Sequence, residues 1–461
     1  MSLARLYQDE VLCQDERRFR NQAIEQAQCQ QLQSGQVMFL GLIVCGVGVV
    51  ALSMMLLLGQ RVHDMASLHR ATDAATYSAA LIQARALNLH AYLNRAQIAH
   101  QLGMAHLIAA ATAMQYRAKL GQQAQIRNPP ASLIGAFFGM RYAQSYTSAM
   151  GSGLGNTHAQ QSFRDAFYRH ERQIHQVLAQ VRQLQIKELV RQREHAIQHM
   201  LVSNVGHSGA AERGDSLKQL GLNVSFSLDE SKGLVHVQSA QDPIWRDFLT
   251  SLVNQSDFLK ERNSTKHNAW IINPRCPFKR HQLRRRGRLE LGVDGQWTAE
   301  DTLSFHALRY NKIIGCYQRE YPMGWSVLST EGSHQSLSHR ESTLPDFSRQ
   351  AFWRWTRTQR GGQWNIFNGR HNPLAQRFGR SEIIKWNTKG LGRYADISSQ
   401  HTKKPVRISL KVTQTLKSGS TISSMASAQT YFEYPARKQT NQASLFEPYW
   451  KATLIPNLSH P

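Results

Sequence analysis

The sequence predicts an α+β protein built as a single N-terminal transmembrane helix, a long helical stalk or hairpin, and a mixed β-rich exported domain. Three observations predict it. Residues 37–58 form one uninterrupted apolar run. Residues 62–126 and 159–203 are long stretches rich in helix formers, and beyond residue 215 short alternating runs take over.

The apolar run, VMFLGLIVCGVGVVALSMMLLL, holds no charge, proline or amide side chain. As a helix it spans roughly 33 Å, about the hydrocarbon thickness of a bilayer. A helix satisfies its own backbone groups, which lipid demands, whereas a buried core helix is seldom apolar on every face for six turns. A signal peptide would have a shorter apolar core, a basic start and a small-residue cleavage site. This run is too long and GQRVHDM follows it, so the span is expected to be retained. Residues 1–35 hold Arg5, Arg17, Arg18 and Arg20 against five acids, and Arg61 and Arg70 follow the span. That bias is too slight to orient the chain by the positive-inside rule. The short polar tail makes a cytoplasmic N-terminus and an exported bulk the simpler topology. The expected division is a tail over 1–35, the span over 36–60, a stalk or hairpin over 61–205 and an α+β domain over 206–461.

After the span, residues 62–126 lack proline and are rich in Ala, Leu, Gln and Arg. Leu68, Ala75, Ile82, Leu89, Ala96, Gly103 and Ala110 make a seven-residue apolar or small seam, suited to close approach of another helix or a second copy. A long helix leaving the membrane, in one piece with the span or separate from it, is expected to stop at Asn128-Pro129-Pro130. Residues 145–157 read as a Gly/Ser-rich connection. A second helix over 159–203 carries Phe163, Phe167, Ile174, Val177, Val181 and Leu184 on its packing face, giving an antiparallel hairpin. Strands are expected at 222–228, 233–239, 288–293, 406–414 and 426–434, and an amphipathic helix at 243–262. Residues 330–402, with Trp353, Trp355 and Trp364, read as long loops.

The chain carries 55 Lys+Arg against 31 Asp+Glu, a net charge of +24, and all the excess lies beyond the span. Such a field attracts polyanions: nucleic acid, anionic headgroups or an acidic partner. The densest run contains Lys279, Arg280, Arg284, Arg285, Arg286 and Arg288, a candidate anion-binding segment. A solvated loop or basic strand face explains it as well, and no nucleic-acid signature accompanies it. Cys276 and Cys316 are the two cysteines beyond the span. A disulfide between them would close a loop of about 40 residues, worth roughly 3–4 kcal/mol in the loop-entropy model. Sequence cannot show their Cα separation, which leaves the pairing open.

Catalytic motifs are weak. Gly214-Asp215-Ser216-Leu217 spells an esterase block but lacks a downstream Asp-x-x-His. His195 and His199, four apart on a helix, lack a third ligand. Gly151–Gly155 has no strand before it and no Lys-Ser/Thr after it. The expectation is a protein without catalysis, cofactor or metal.

The flanks of the span carry one resemblance. Gly35-Gln36 opens the apolar run, and Asp73-Ala74-Ala75 and Tyr77-Ser78-Ala79 follow within LHRATDAATYSAALIQARALNLHAYLNRAQIAHQ. Near the C-terminus stand Ala426–Phe432, Glu433-Tyr434-Pro435, and Asn441–Phe446 followed by Glu447-Pro448-Tyr449-Trp450 and Lys451–Leu454. These blocks resemble TadE/TadG-like proteins of the Tad (Flp pilus) assembly systems, over residues 35–110 and 425–455. The resemblance implies a single-pass inner-membrane protein with a periplasmic domain, partnered by proteins of a pilus or secretion assembly. Pilin-like members are cut at the Gly, which here would be between Gly35 and Gln36, and carry a Glu five residues into the mature chain. That position is Leu40, so a permanent anchor is expected. The alternative is an anchored receptor for an anionic polymer, DNA or surface polysaccharide, through the basic run.

Overall fold

A computed structural model describes residues 4–153, 156–205, 217–228, 233–330, 346–347, 351–359, 371–416, 418–434 and 443–456. The side chains of 4–17, 23, 25–36, 152–153, 156–157 and 357–359 fall outside that description. One helix, α1 (Ala4–Gln125), organises the chain, and its 122 residues take in both the apolar run and the stretch that follows. No proline interrupts it. It ends where Arg127 takes a φ of 54° ahead of Pro129 and Pro130, which have no N–H to continue the ladder.

Two halves of α1 differ in what surrounds them. From Val37 to Leu58 the side chains face open space, and this part is long and apolar enough to cross a membrane. From Leu68 to Ala124 the helix is the spine of an α+β body. Helices α2 (Ala131–Phe138) and α3 (Met140–Thr147) pack beside its far end, and α4 (Asn156–Arg172) and α5 (Ala179–Val205) return antiparallel along it. Strands β1 (Leu222–Leu228) and β2 (Val235–Gln238) lead to helix α6 (Pro243–Gln255) and strands β3 (Ser264–His267), β4 (Gln282–Leu291), β5 (Trp297–Asn311) and β6 (Gly315–Ser329). Helices α7 (Phe352–Gln359) and α8 (Pro373–Ser381) precede β7 (Ile384–Lys385), β8 (Tyr394–Ile397), β9 (Val406–Thr415), β10 (Thr421–Phe432) and β11 (Trp450–Ile455).

Three sheets result, in the orders β1-β9-β10-β11, β2-β8 and β3-β4-β5-β6-β7. All pairs are antiparallel except β6 with β7. The first sheet lies on α1 where Leu68, Ala71, Ala75, Ala79 and Ala80 are buried, sharing a core with Ile197, Leu201, Ile408, Leu410 and Val412. Alanines there let the sheet approach the helix closely, and burying apolar surface stabilises the contact by roughly 25 cal/mol per Å². Further along, Met104, Ala105 and Ile108 share a core with Trp297, Ala299 and Leu328 of the five-stranded sheet. Last, Leu120 and Ala124 meet Phe305, Ala307, Tyr321 and Met323. The helices up to Val205 and the sheets from Leu222 onward therefore share cores.

The expected second helix is not uniform. A six-residue π-helical segment, Gln173–Leu178, separates α4 from α5. It adds one residue to the turn and rotates everything after it. The seven-step that would follow Ile174 with Val181 instead lands on Arg182, and the buried face continues through Leu189, Arg193, Ile197 and Leu201. Val177, Val181 and Leu184, expected on the packing face, are 43%, 37% and 60% exposed. The amphipathic helix expected to 262 is α6, capped by Asp242 and ending at Gln255. Residues 330–402, expected as loops, contribute α7, α8, β7 and β8; Trp355 is buried, Trp353 is exposed, and Trp364 lies outside the described residues.

Gly121 marks the tightest approach on α1. A Cβ added there would stand 2.1 Å from the carbonyl oxygen of Ala149. Gly121→Ala must push the turn after α3 away from the spine, and a loss of about 1–3 kcal/mol is expected from the urea midpoint at unchanged slope.

Candidate functional site: an aromatic groove where the two ends of the chain meet

A row of amide side chains on α1 holds the C-terminal third of the protein. Asn88 accepts from the Trp450 N–H at 2.9 Å and donates to its carbonyl at 2.9 Å. Asn94 donates to the carbonyls of Ala395 (2.7 Å) and Leu445 (2.8 Å) and accepts from the Ala395 N–H (3.1 Å). Gln97 donates to the Gly392 carbonyl at 2.7 Å. A primary amide carries the same donor and acceptor as a peptide unit, so these residues act as strand edges mounted on a helix. Arg182 of α5 enters the same layer, donating to Asn94, Gln97 and the Arg393 carbonyl. Its side chain is buried without a carboxylate partner among the described residues, and burial lowers its pKa to about 10.

Over this layer lies a groove of about 730 Å³. Arg95 and Ile98 of α1 form one wall, and Ile244, Trp245, Phe248 and Leu252 of α6 form another. Tyr394, Ser444, Phe446, Glu447 and Tyr449 complete it. Trp245 lies nearly flat against Tyr394 (5.1 Å between ring centres, 26°) and Phe446 (5.6 Å, 24°). Asp242 fixes the arrangement: one carboxylate oxygen caps α6 at the Ile244 N–H (2.9 Å), and the other accepts from the Tyr394 hydroxyl (2.6 Å). Burial and this bond to Asp242 push the Tyr394 pKa up. Ile244 is 76% exposed and Phe248 41%, so the lip is apolar and open. The groove offers ring faces, one guanidinium and one carboxylate. That set suits an apolar or aromatic group.

The basic run is placed elsewhere and is not one cationic surface. Gln282–Leu291 is β4, so Arg284, Arg285, Arg286 and Arg288 are strand residues whose side chains alternate between faces. Arg284 is buried and donates to Gln282, Gln318 and the His371 carbonyl. Arg285 pairs with the fully buried Asp301 at 2.8 Å and stacks over Tyr116. Arg286 donates to the Ser264 carbonyl and Thr265, and Arg288 pairs with Glu290 and Glu300. Arg286 and Arg288 do border a polar pocket of about 330 Å³ with His371 and Arg380, but Glu261 and Glu300 line it too. Lys279 donates to the Cys316 carbonyl, and Arg280 to the carbonyls of Pro277 and Lys279. The basic strand face that the sequence left open beside a loop is the outcome, and charge masked its alternation at Leu283 and Gly287, both buried.

Cys276 and Cys316 are joined by a disulfide, with Cα atoms 5.9 Å apart. Gly35 and Gln36 fall within α1, and their side chains lie outside the described residues. So do Gly214, Asp215 and Ser216. His195 and His199 stack on α5, and no group of three metal-ligating side chains is found among the described residues. Sequence reasoning missed the groove because its walls come from four separate segments; the Phe-x-x-Tyr-Trp spacing of 446–450 was the available signal. No family model, curated protein or solved structure matches the chain.

Proposed function

We propose that the chain is a single-pass, membrane-anchored envelope protein that works by contact rather than catalysis, associated with a Tad/Flp-type pilus or secretion assembly. The observation that carries this reading is the meeting of the two segments that resemble TadE/TadG-like proteins. They are more than 300 residues apart in sequence, yet Asn88 pairs with Trp450, Asn94 with Leu445, and Thr430 donates to the Ala80 carbonyl. The intervening chain, on which the resemblance is silent, is packed around them. A shared pattern at two distant places is what a common structural unit would leave in sequence.

The exposed apolar half of α1 supports the anchor, since burying it in lipid removes the cost of leaving 22 apolar residues in water. The disulfide supports an oxidising, exported compartment for the body. Because span and spine are one helix, the body is held at a fixed angle to the membrane. Partner contact is assigned to the aromatic groove, and the anionic-polymer reading loses ground because Arg284 and Arg285, at the centre of its run, are engaged internally and Arg288 is paired with Glu290 and Glu300.

Deleting the gene in the encoding bacterium is expected to remove surface pili or secretion. Restoring it with Ile244→Ser and Phe248→Ser, both at the exposed lip, should leave the protein at normal abundance in membranes and the defect uncorrected. Unchanged piliation and secretion in the deletion strain would remove the proposal.

A further inference from the structure

The end of the five-stranded sheet farthest from the apolar half of α1 carries a second unusual surface. Along α1, Met104–Ile108 meet Trp297 and Leu328, and Leu120 and Ala124 meet Ala307 and Tyr321. The β5–β6 hairpin thus runs in the same direction as the helix, away from the span, and its turn at 311–315 lies beyond the helix end. At 1.5 Å per residue, Leu58 to Gln125 covers about 100 Å.

At this tip Phe278 is 98% exposed and Ile313 74%, with Trp270 and Ile271 about half exposed. The Cys276–Cys316 disulfide and the bond from Lys279 to the Cys316 carbonyl hold the loop of Phe278 against the hairpin that bears Ile313. Arg275 stacks over Tyr310 at 5.0 Å and braces the same junction. Four exposed apolar side chains on these joined segments mark an interaction site. The chemistry of the segments that build it is one-sided. Residues 262–289 and 302–319 contain no Asp or Glu, while Lys266, Arg275, Lys279, Arg280, Arg309 and Lys312 lie in the tip segments. Neighbouring α2 and α3 add Arg141 and no acid.

We propose that this tip docks on a second lipid surface of anionic composition, with Phe278 and Ile313 entering the headgroup layer and the surrounding cations meeting lipid phosphates. Apolar residues on two adjacent turns, on segments that carry lysine and arginine and no acid, match the requirements of shallow insertion into an anionic bilayer. An acidic protein partner would account for the cations, but it leaves a protruding Phe278 without the concave apolar receptor it would need. The surface is a second one because the spine continues as one helix for about 100 Å beyond the anchor. That step rests on the membrane anchor proposed above.

The test uses the full chain in zwitterionic nanodiscs, mixed with vesicles of phosphatidylcholine alone or with 30 mol% phosphatidylglycerol. Incorporation into the nanodisc reads the anchor by itself, so its failure would be separate from failure of the tip. The expected result is retention of the anionic vesicles, weakened by salt, with at least a tenfold loss in Phe278→Ser/Ile313→Ser. Both side chains are outside the core, so this variant should fold. Three results would overturn the proposal: no retention by the wild-type chain, equal retention by the double variant, or equal retention of neutral vesicles. A cross-link from position 278 to an acidic protein, without vesicle retention, would replace the lipid with that partner.

Discussion

Asn94→Ala is expected to destabilise the protein by about 3–5 kcal/mol and to loosen residues 443–455 before the rest. Asn94 is fully buried and serves four partners: both backbone groups of Ala395, the carbonyl of Leu445 and the guanidinium of Arg182. Alanine replaces none of these bonds. A buried polar group left without a partner costs about 1–3 kcal/mol, and the losses are less than additive because the partners share one layer. The effect on Arg182 is the sharpest, since it is a buried cation with no carboxylate to turn to among the described residues. Asn94→Leu fills the volume but should rescue little, which separates lost hydrogen bonding from a lost contact. Urea unfolding of the detergent-solubilised chain measures the total, and limited proteolysis should cut the C-terminal segment first.

Acidification from pH 7 to pH 5 is expected to lower stability by about 2–4 kcal/mol. His90 and His281 are buried, and burial first, then a nearby arginine in each case, lowers their pKa to about 4. His306 is lowered for the same reason. In the unfolded chain these imidazoles return to about 6.5. Below that value the unfolded state binds protons that the folded state refuses, so the stabilisation present above pH 6.5 is lost as pH falls towards 4. Each fully shifted group contributes about 1.4 kcal/mol per pH unit within that window. Burial raises the carboxyl pKa values of Asp301, Glu320 and Asp396, which works in the opposite sense and returns some stability at the acid end. Melting temperature against pH should therefore fall from 7 to 5, and His90→Leu should flatten the slope. A melting temperature that rises over this range would contradict the assignment.

Much of the architecture is legible where a single physical signal dominates. The apolar run and the proline-free stretch announce one long helix, and Val224, Phe226 and Leu228 alternate with Asn223, Ser225 and Ser227 along β1. Strands β5 and β6 are not legible, because both faces are covered. Asp301, Thr302, Ser304 and His306 are buried alongside Phe305 and the partly buried Leu303, so hydrophobicity does not alternate. The seam on α1 is hidden for a related reason. Its buried positions include Gln83, His90, Asn94, Gln97 and Gln101, which composition assigns to the surface. Asn94 and Gln97 are inside because they bond to backbone edges contributed by residues some 300 positions later, and Gln83 accepts from Arg193 of α5. The π-helical turn after Arg172 shifts the α5 face by one residue, a change that no seven-residue pattern anticipates.

A single span with the folded body across the membrane is tested most directly by protease access to a C-terminal tag in intact spheroplasts of a Gram-negative host. Loss of the tag without lysis, with a protected fragment retaining the N-terminal tail and remaining in the membrane after alkaline extraction, is the expected result. A tag that survives until the membrane is broken, or a chain that washes off with alkali, would contradict it.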